Sequence, residues 1–183
     1  MRPLTGLAFF PLARWSRDRY TSRMHLAQLN IGRLRAPTDD PQVADFMNNL
    51  DRINGMGKRM PGFVWMMEGS GAPGTGNTEN AIGDDPQFVA NLTVWEDAAS
   101  LSRFVWDTVH RQFYARRAEW FTALAEPHFV MWWIEEGHRP DLKEALSRLD
   151  DYRANGPSER AFGWAEVKEA ERWRANRCGV AAR

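Results

Sequence analysis

The segment from Met24 to Leu34 alternates. Ala27, Leu29 and Ile31 fall on one side of an extended chain and Leu26, Gln28 and Asn30 on the other, so it reads as a strand. The stretch 35–41 breaks it, and Asp40 before Pro41 is the expected N-cap with proline at the first helical position. Val43, Phe46, Met47, Leu50, Ile53 and Met56 then recur at helical spacing and predict an amphipathic helix of about four turns. Further strands are expected over residues 63–67, 88–95 and 128–134. Residues 96–121 read as one long helix with an acidic start, and residues 142–152 as another behind Asp141. Residues 161–164 form a candidate edge strand, and the charged residues from Glu166 a helical or frayed tail.

This order, β-α-β-β-α-β with one added helix, predicts an α+β domain: a ferredoxin-like antiparallel sheet with helices on one face. The strands are apolar on both sides. Phe63, Trp65 and Met67 back onto Val64 and Met66, while Val130, Trp132 and Ile134 back onto Phe129, Met131 and Trp133. A sheet covered on one side alternates polar with apolar, so the second face here needs a cover. The simplest cover is a second copy of the chain, which predicts a homodimer with two sheets closed against each other. The glycine-rich stretch 69–83 lacks the lysine of a phosphate loop and leads into a strand, so it is expected to be a mobile hairpin loop able to cover a pocket.

Composition narrows the function classes. The chain of 183 residues fits one domain at 24–165, with an N-terminal extension at 1–23 and a charged tail at 166–183. A formal net charge of zero removes the electrostatic footprint of a nucleic-acid binder. No run approaches the roughly 18 apolar residues of a membrane span, and residues 1–23 lack the apolar core and cleavage site of a signal peptide. A cytoplasmic protein is expected. The lone Cys178 cannot form an internal disulfide. The nine Trp, ten Phe and eight Met suit either a heavy core or an apolar ligand pocket.

In an unbroken helix, Trp106, His110, Phe113 and Arg117 share one stripe, away from Leu101, Phe104, Val105 and Thr108. A stripe of that composition can line a cavity, with His110 as general acid/base or ligand, or it can pack as core. His25 and His128 sit at strand starts, and His138 lies in a turn where it is expected to fix the chain. No zinc spacing occurs, so no metal is expected beyond His110 should haem bind. Gln28, Asn30, Asn91 and Thr93 interrupt apolar strands. Buried amides need partners, so they either pair with each other or orient a ligand. Arg111, Arg116 and Arg117 suit a solvated helix end or an acidic ligand group, and Glu96 and Asp97 suit a helix start.

Several segments resemble a known family. They are the run from Met24 to Ile31, Asp40-Pro41 with Val43-Ala-Asp-Phe46 and Asn54, residues 61–65, and residues 91–96. With them go His110, Arg116-Arg117 with Trp120-Phe121, Trp132-Trp133 and Gly137-His-Arg-Pro140. Together, in order from Met24 to about Trp164, they are similar to the bacterial family called domain of unknown function 3291, within the dimeric α+β barrel superfamily. The resemblance implies likeness to antibiotic-biosynthesis monooxygenases. Those proteins use amide and tryptophan groups, without a cofactor, to hold a reduced aromatic substrate near oxygen, a role that suits Asn30 and Trp95. It implies a pocket with His110, Asn30 and Trp95 as catalytic groups, lined by Trp106, Phe113, Arg117, Gln28, Asn91, Trp65 and Trp120. The expected ligand is a small hydrophobic molecule. The alternatives are a haem-binding protein with His110 as axial ligand, and a non-catalytic dimeric binding protein for a hydrophobic metabolite.

Overall fold

A computed structural model describes residues 23–69, 82 and 85–179. The elements run β1 (Met24–Leu34), α1 (Ala44–Gly57), β2 (Phe63–Met66), β3 (Phe88–Trp95), α2 (Ala98–Asp107), α3 (His110–Trp120), β4 (Phe121–Thr122), β5 (Phe129–Glu135), α4 (Leu142–Asn155), a 3-10 turn (Trp164–Glu166) and α5 (Val167–Gly179). The N-terminal extension lies outside the described residues, as does nearly all of the glycine-rich loop.

The sheet is antiparallel, with order β2-β3-β1 and both β4 and β5 on the remaining edge of β1. The α+β, ferredoxin-like class expected from the element order is what the chain adopts. β1 is the hub, pairing with β3 from Leu26↔Trp95 to Arg33↔Phe88 and with β5 from Met24↔Glu135 to Asn30↔Phe129. The β2–β3 pairing carries a register shift between Phe63 and Trp65. Before it, Gly62 has φ +84°, a conformation open to glycine at little cost, and a Cβ there would run into the Ser100 side chain.

Side-chain alternation sorts the core into two layers. On one face Ala27, Leu29, Ala90, Leu92, Val94, Val130 and Trp132 form a continuous apolar cluster with Ala145 and Leu149 of α4. On the other, Leu26, Trp95, Met131 and Trp133 pack under α1, α2 and α5, while Leu34 and Val89 pack with Val43 and Trp120. The two crossover connections thus share one face, and the added helix α4 takes the other. Asp141 caps α4, its carboxylate accepting from Glu144 N at 2.7 Å. Glu144 in turn accepts from Trp132 Nε1 at 3.1 Å and meets His138 Nε2 at 2.7 Å, so His138 does fix its turn.

Four expectations change. The second face does not wait for another copy: α4, with Trp65, Met67 and Ile82 packed beside it, buries it within one chain. A second copy is therefore not required to bury that face, because periodicity counts which faces are apolar without saying what covers them. The single long helix is two, since Thr108 is extended (φ −118°, ψ −176°) and its hydroxyl donates to Phe104 O at 2.6 Å while accepting from His110 N at 3.1 Å. That hydroxyl competes with the helix's own bonds, and the helix restarts at His110. Asp40 does not cap α1. Its carboxylate accepts from Gln42 N at 2.7 Å, which closes a turn ahead of the helix. Finally, the edge strand at residues 161–164 is a bridge between Phe162 and Met131. The charged tail is helical, as expected, and forms α5, with Ala170 and Trp173 packed in the helix-side cluster.

Candidate functional site

The helix-facing row of β1 reads Leu26, Gln28, Asn30, Gly32, Leu34; the matching row of β3 reads Trp95, Thr93, Asn91, Val89. Both ends of these rows are apolar and covered. The middle is polar, so the amides lie in the gap between the two helix-side clusters. Pairing in register places Gln28 opposite Thr93 and Asn30 opposite Asn91, with Phe129 on the other flank of Asn30. Strand periodicity gathers them with no help from long-range contacts.

The row is graded from closed to open. Gln28 is 5% exposed and Thr93 2%, whereas Asn91 is half-buried and Asn30 exposed. An exposed side chain in the middle of a central strand, flanked by strands on both sides, means that no helix covers it. Gln28 Nε2 donates to Thr93 Oγ1 at 2.8 Å and to Asn91 Oδ1 at 3.3 Å, and Trp95 Nε1 donates to the same Thr93 oxygen at 2.8 Å. With its oxygen accepting from Gln28, the Asn91 amide points its NH₂ away. That group and the whole Asn30 amide have no partner among the described residues. Gln28, Thr93 and Trp95 therefore form a rigid base, and Asn30 and Asn91 offer free donors and acceptors at the opening.

A row of aromatic side chains runs outward from this opening, beginning at Phe129 opposite Asn30. Phe129 stacks on Trp164 (5.6 Å between centroids, 8° between planes), and Trp164 meets Trp106 edge-on at 6.1 Å. Trp106 also meets Tyr114 edge-on at 5.2 Å. Phe113 packs against both helix-side clusters and so spans the gap. On the far side, the Phe121 ring sits over Gly32, where a Cβ would come within 2.7 Å of it.

His110 opens α3. Its ring lies against Phe104 at 4.9 Å, and Phe104 stacks on Trp95 at 5.4 Å. Burial lowers its pKa from 6.5, against the opposing effect of the Val105 carbonyl 3.3 Å from Nδ1. A carbonyl only accepts, so Nδ1 carries the proton and Nε2 keeps its lone pair at neutral pH. Among the described residues nothing bonds Nε2. The imidazole is thus oriented and neutral, with Nε2 open to accept a proton.

The residues picked out from the sequence are only partly assembled. Gln28, Asn30 and Asn91 come together, and Trp95 joins them through Thr93. Trp106, His110, Phe113 and Arg117 do not form one stripe, because the break at Thr108 rotates α3 relative to α2. Trp106 turns to Trp164, His110 to Phe104 and Phe113 to Trp120. Arg117 lies over Tyr114 at 4.3 Å. Trp65 pairs with Val94 and lies in the opposite layer, and Trp120 is core between α1 and α3 with Arg116 over its ring. Phe129, Trp164 and Tyr114 are not marked as site residues by the sequence pattern. The strand alternation that sets Phe129 beside Asn30 was legible, but its register was not. Among the described residues no cluster of His, Cys, Asp or Glu could hold a metal ion, and none of their helices is long and apolar enough to cross a membrane.

The chain belongs to the family described as Domain of unknown function (DUF3291), whose model matches residues 25–178. No curated protein matches it. Among solved structures it is similar to a conserved protein from Methanosarcina mazei Go1 (13% identity, TM-score 0.45, 62% of this chain and 95% of that one). It is also similar to NE2512, a protein of unknown function from Nitrosomonas europaea (11% identity, TM-score 0.40, 66% and 96%). A further similar structure is SnoaB, a cofactor-independent oxygenase from Streptomyces nogalater (15% identity, TM-score 0.40, 64% and 96%).

Proposed function

We propose that this chain is a small-molecule enzyme that oxidises a hydrophobic or aromatic metabolite with molecular oxygen. The observation that carries the reading is the exposed Asn30 and half-buried Asn91 between two apolar clusters, held by Gln28 and Thr93 beside a row of aromatic side chains. A few placed polar groups in an otherwise apolar setting orient a ligand while the rings bind its body. The free amides suit the oxygens of a phenol, quinol or related ketone. Such a substrate becomes an electron donor to oxygen once it loses a proton, and the neutral imidazole of His110 is the group able to take one. The amides then hydrogen-bond the substrate oxygen on which negative charge collects.

The test is oxygen uptake by purified protein given quinols or polyketide-like phenols. Substrate-dependent uptake is expected in the wild type, with large losses in Asn30→Ala and His110→Ala. Equal uptake by His110→Ala and wild type would remove His110 from the chemistry. Binding without any uptake would make the chain a non-catalytic binding protein.

One observation favours a second reading, a haem-binding protein. A ligating histidine usually donates its other ring N–H to a carbonyl, as His110 Nδ1 does to Val105. A Soret band on adding haem to wild type, lost in His110→Ala, is that reading's signature.

A further inference from the structure

The break between α2 and α3 leaves a groove that meets the pocket above only at Trp106. It has a volume of about 610 Å³ and is lined by Trp106, Asp107, Thr108, Arg111, Gln112 and Ala115. That lies inside the range of about 300–1,000 Å³ common for small-molecule sites. Its charges are unusual. Asp107 and Arg111 are four residues apart, and in an unbroken helix an acid four residues before a base forms a pair along the helix face. Here Thr108 is extended between them, and neither side chain has a partner among the described residues. The other arginines of α3 are engaged: Arg116 bonds Glu119 and Asp45, and Arg117 lies over Tyr114. Arg111 is left open, facing a groove that also contains an open carboxylate.

The break is built rather than frayed. The Thr108 hydroxyl donates to Phe104 O and accepts from His110 N, and Thr108 O accepts from Arg111 N at 3.2 Å. One side chain thus closes the end of α2 and the start of α3, holding Asp107 and Arg111 on opposite sides of the cut. Trp106 supplies an aromatic wall, and Gln112 both donates and accepts.

We infer that this groove binds a zwitterion with an aromatic body, an aromatic α-amino acid being the simplest example. Arg111 takes the carboxylate, Asp107 takes the ammonium, and the ring lies on Trp106. A ligand with only one charge leaves the opposite groove charge unmatched, so the site discriminates by requiring both. The inference does not depend on the oxidation proposed above, because neither Asp107 nor Arg111 belongs to the amide pocket.

The experiment titrates ¹⁵N-labelled protein with L-tryptophan, tryptamine and indole-3-propionate, following backbone amides of residues 106–115. L-Tryptophan is expected to shift these amides saturably and to bind more tightly than either singly charged analogue. Asp107→Asn and Arg111→Gln are each expected to weaken it about threefold to fivefold, the worth of an exposed ion pair. Both are surface changes that leave the fold intact, as the unshifted remainder of the spectrum would show. Absence of saturable shifts with L-tryptophan overturns the inference. So does equal affinity for indole-3-propionate or tryptamine, and so does unchanged affinity in either variant.

Discussion

The two faces of the sheet are built from the same strands and treat water in opposite ways. Under α4 the layer is uninterrupted: Ala27, Leu29, Ala90, Leu92, Val94, Val130 and Trp132 are each fully buried. Under the other helices the apolar rows are cut in the middle by Gln28, Asn30, Asn91 and Thr93. The first face is continuous core. The second gives up continuous burial, and that interruption is where a ligand finds hydrogen bonds. Polar residues on one face of a doubly covered sheet thus mark the site more sharply than the histidine on the helix above it.

The contrast can be broken most severely from the closed side. Leu29→Ala leaves a cavity in a layer with nothing to refill it, and unfolding in urea is expected to show a loss of about 3 kcal/mol. Ligand binding by the folded variant should be unchanged. If Leu29→Ala altered binding as strongly as stability, the two faces would not be independent.

Thr93→Val tests the base of the open side. It keeps the shape but leaves Trp95 Nε1 and Gln28 Nε2 without their shared acceptor, a cost of about 1–3 kcal/mol. Thr93→Ser retains the oxygen and is expected to recover most of the loss. Equal stabilities of the valine and serine variants in chemical denaturation would show that the hydroxyl contributes little.

His110 supplies a dependence on pH. Its folded pKa lies below the unfolded value of about 6.5, so below that pH the unfolded chain binds a proton that the folded one resists. Its contribution is complete above pH about 6.5 and is lost as pH falls through the window below. Thermal unfolding of the wild type from pH 7.5 down to 5 should show a decline attributable to this residue, and His110→Gln should flatten it. An identical decline in both proteins would assign the effect elsewhere.

The smallest expected change in stability is the most informative about function. Asn30 is exposed and has no side-chain partner among the described residues, so Asn30→Ala should alter stability by less than about 0.5 kcal/mol. Calorimetry with a substrate-like phenol should nevertheless show much weaker binding. Loss of both together would make Asn30 a structural residue.

Much of this was written in the sequence. Alternation in β1, β3 and β5 and the helical spacing of Phe46, Leu50 and Ile53 are local properties, repeated every two residues or every three to four. They determined most of the elements, their order and the antiparallel class, but not the division of the long helix. They also placed Gln28, Asn30, Asn91 and Thr93 as exceptions in apolar strands, because an amide in such a row is visible without coordinates.

Tertiary structure alone decided which exceptions meet, because pairing register joins residues more than sixty positions apart. It also decided what covers each face. An apolar pattern demands burial but is indifferent to whether α4 or another chain supplies it, since the hydrophobic effect has no direction. The break at Thr108 was undetermined locally for a related reason. A threonine hydroxyl serves equally within a helix or at its end, and only packing selected the second. That choice separated His110 from Trp106 and opened the groove between Asp107 and Arg111.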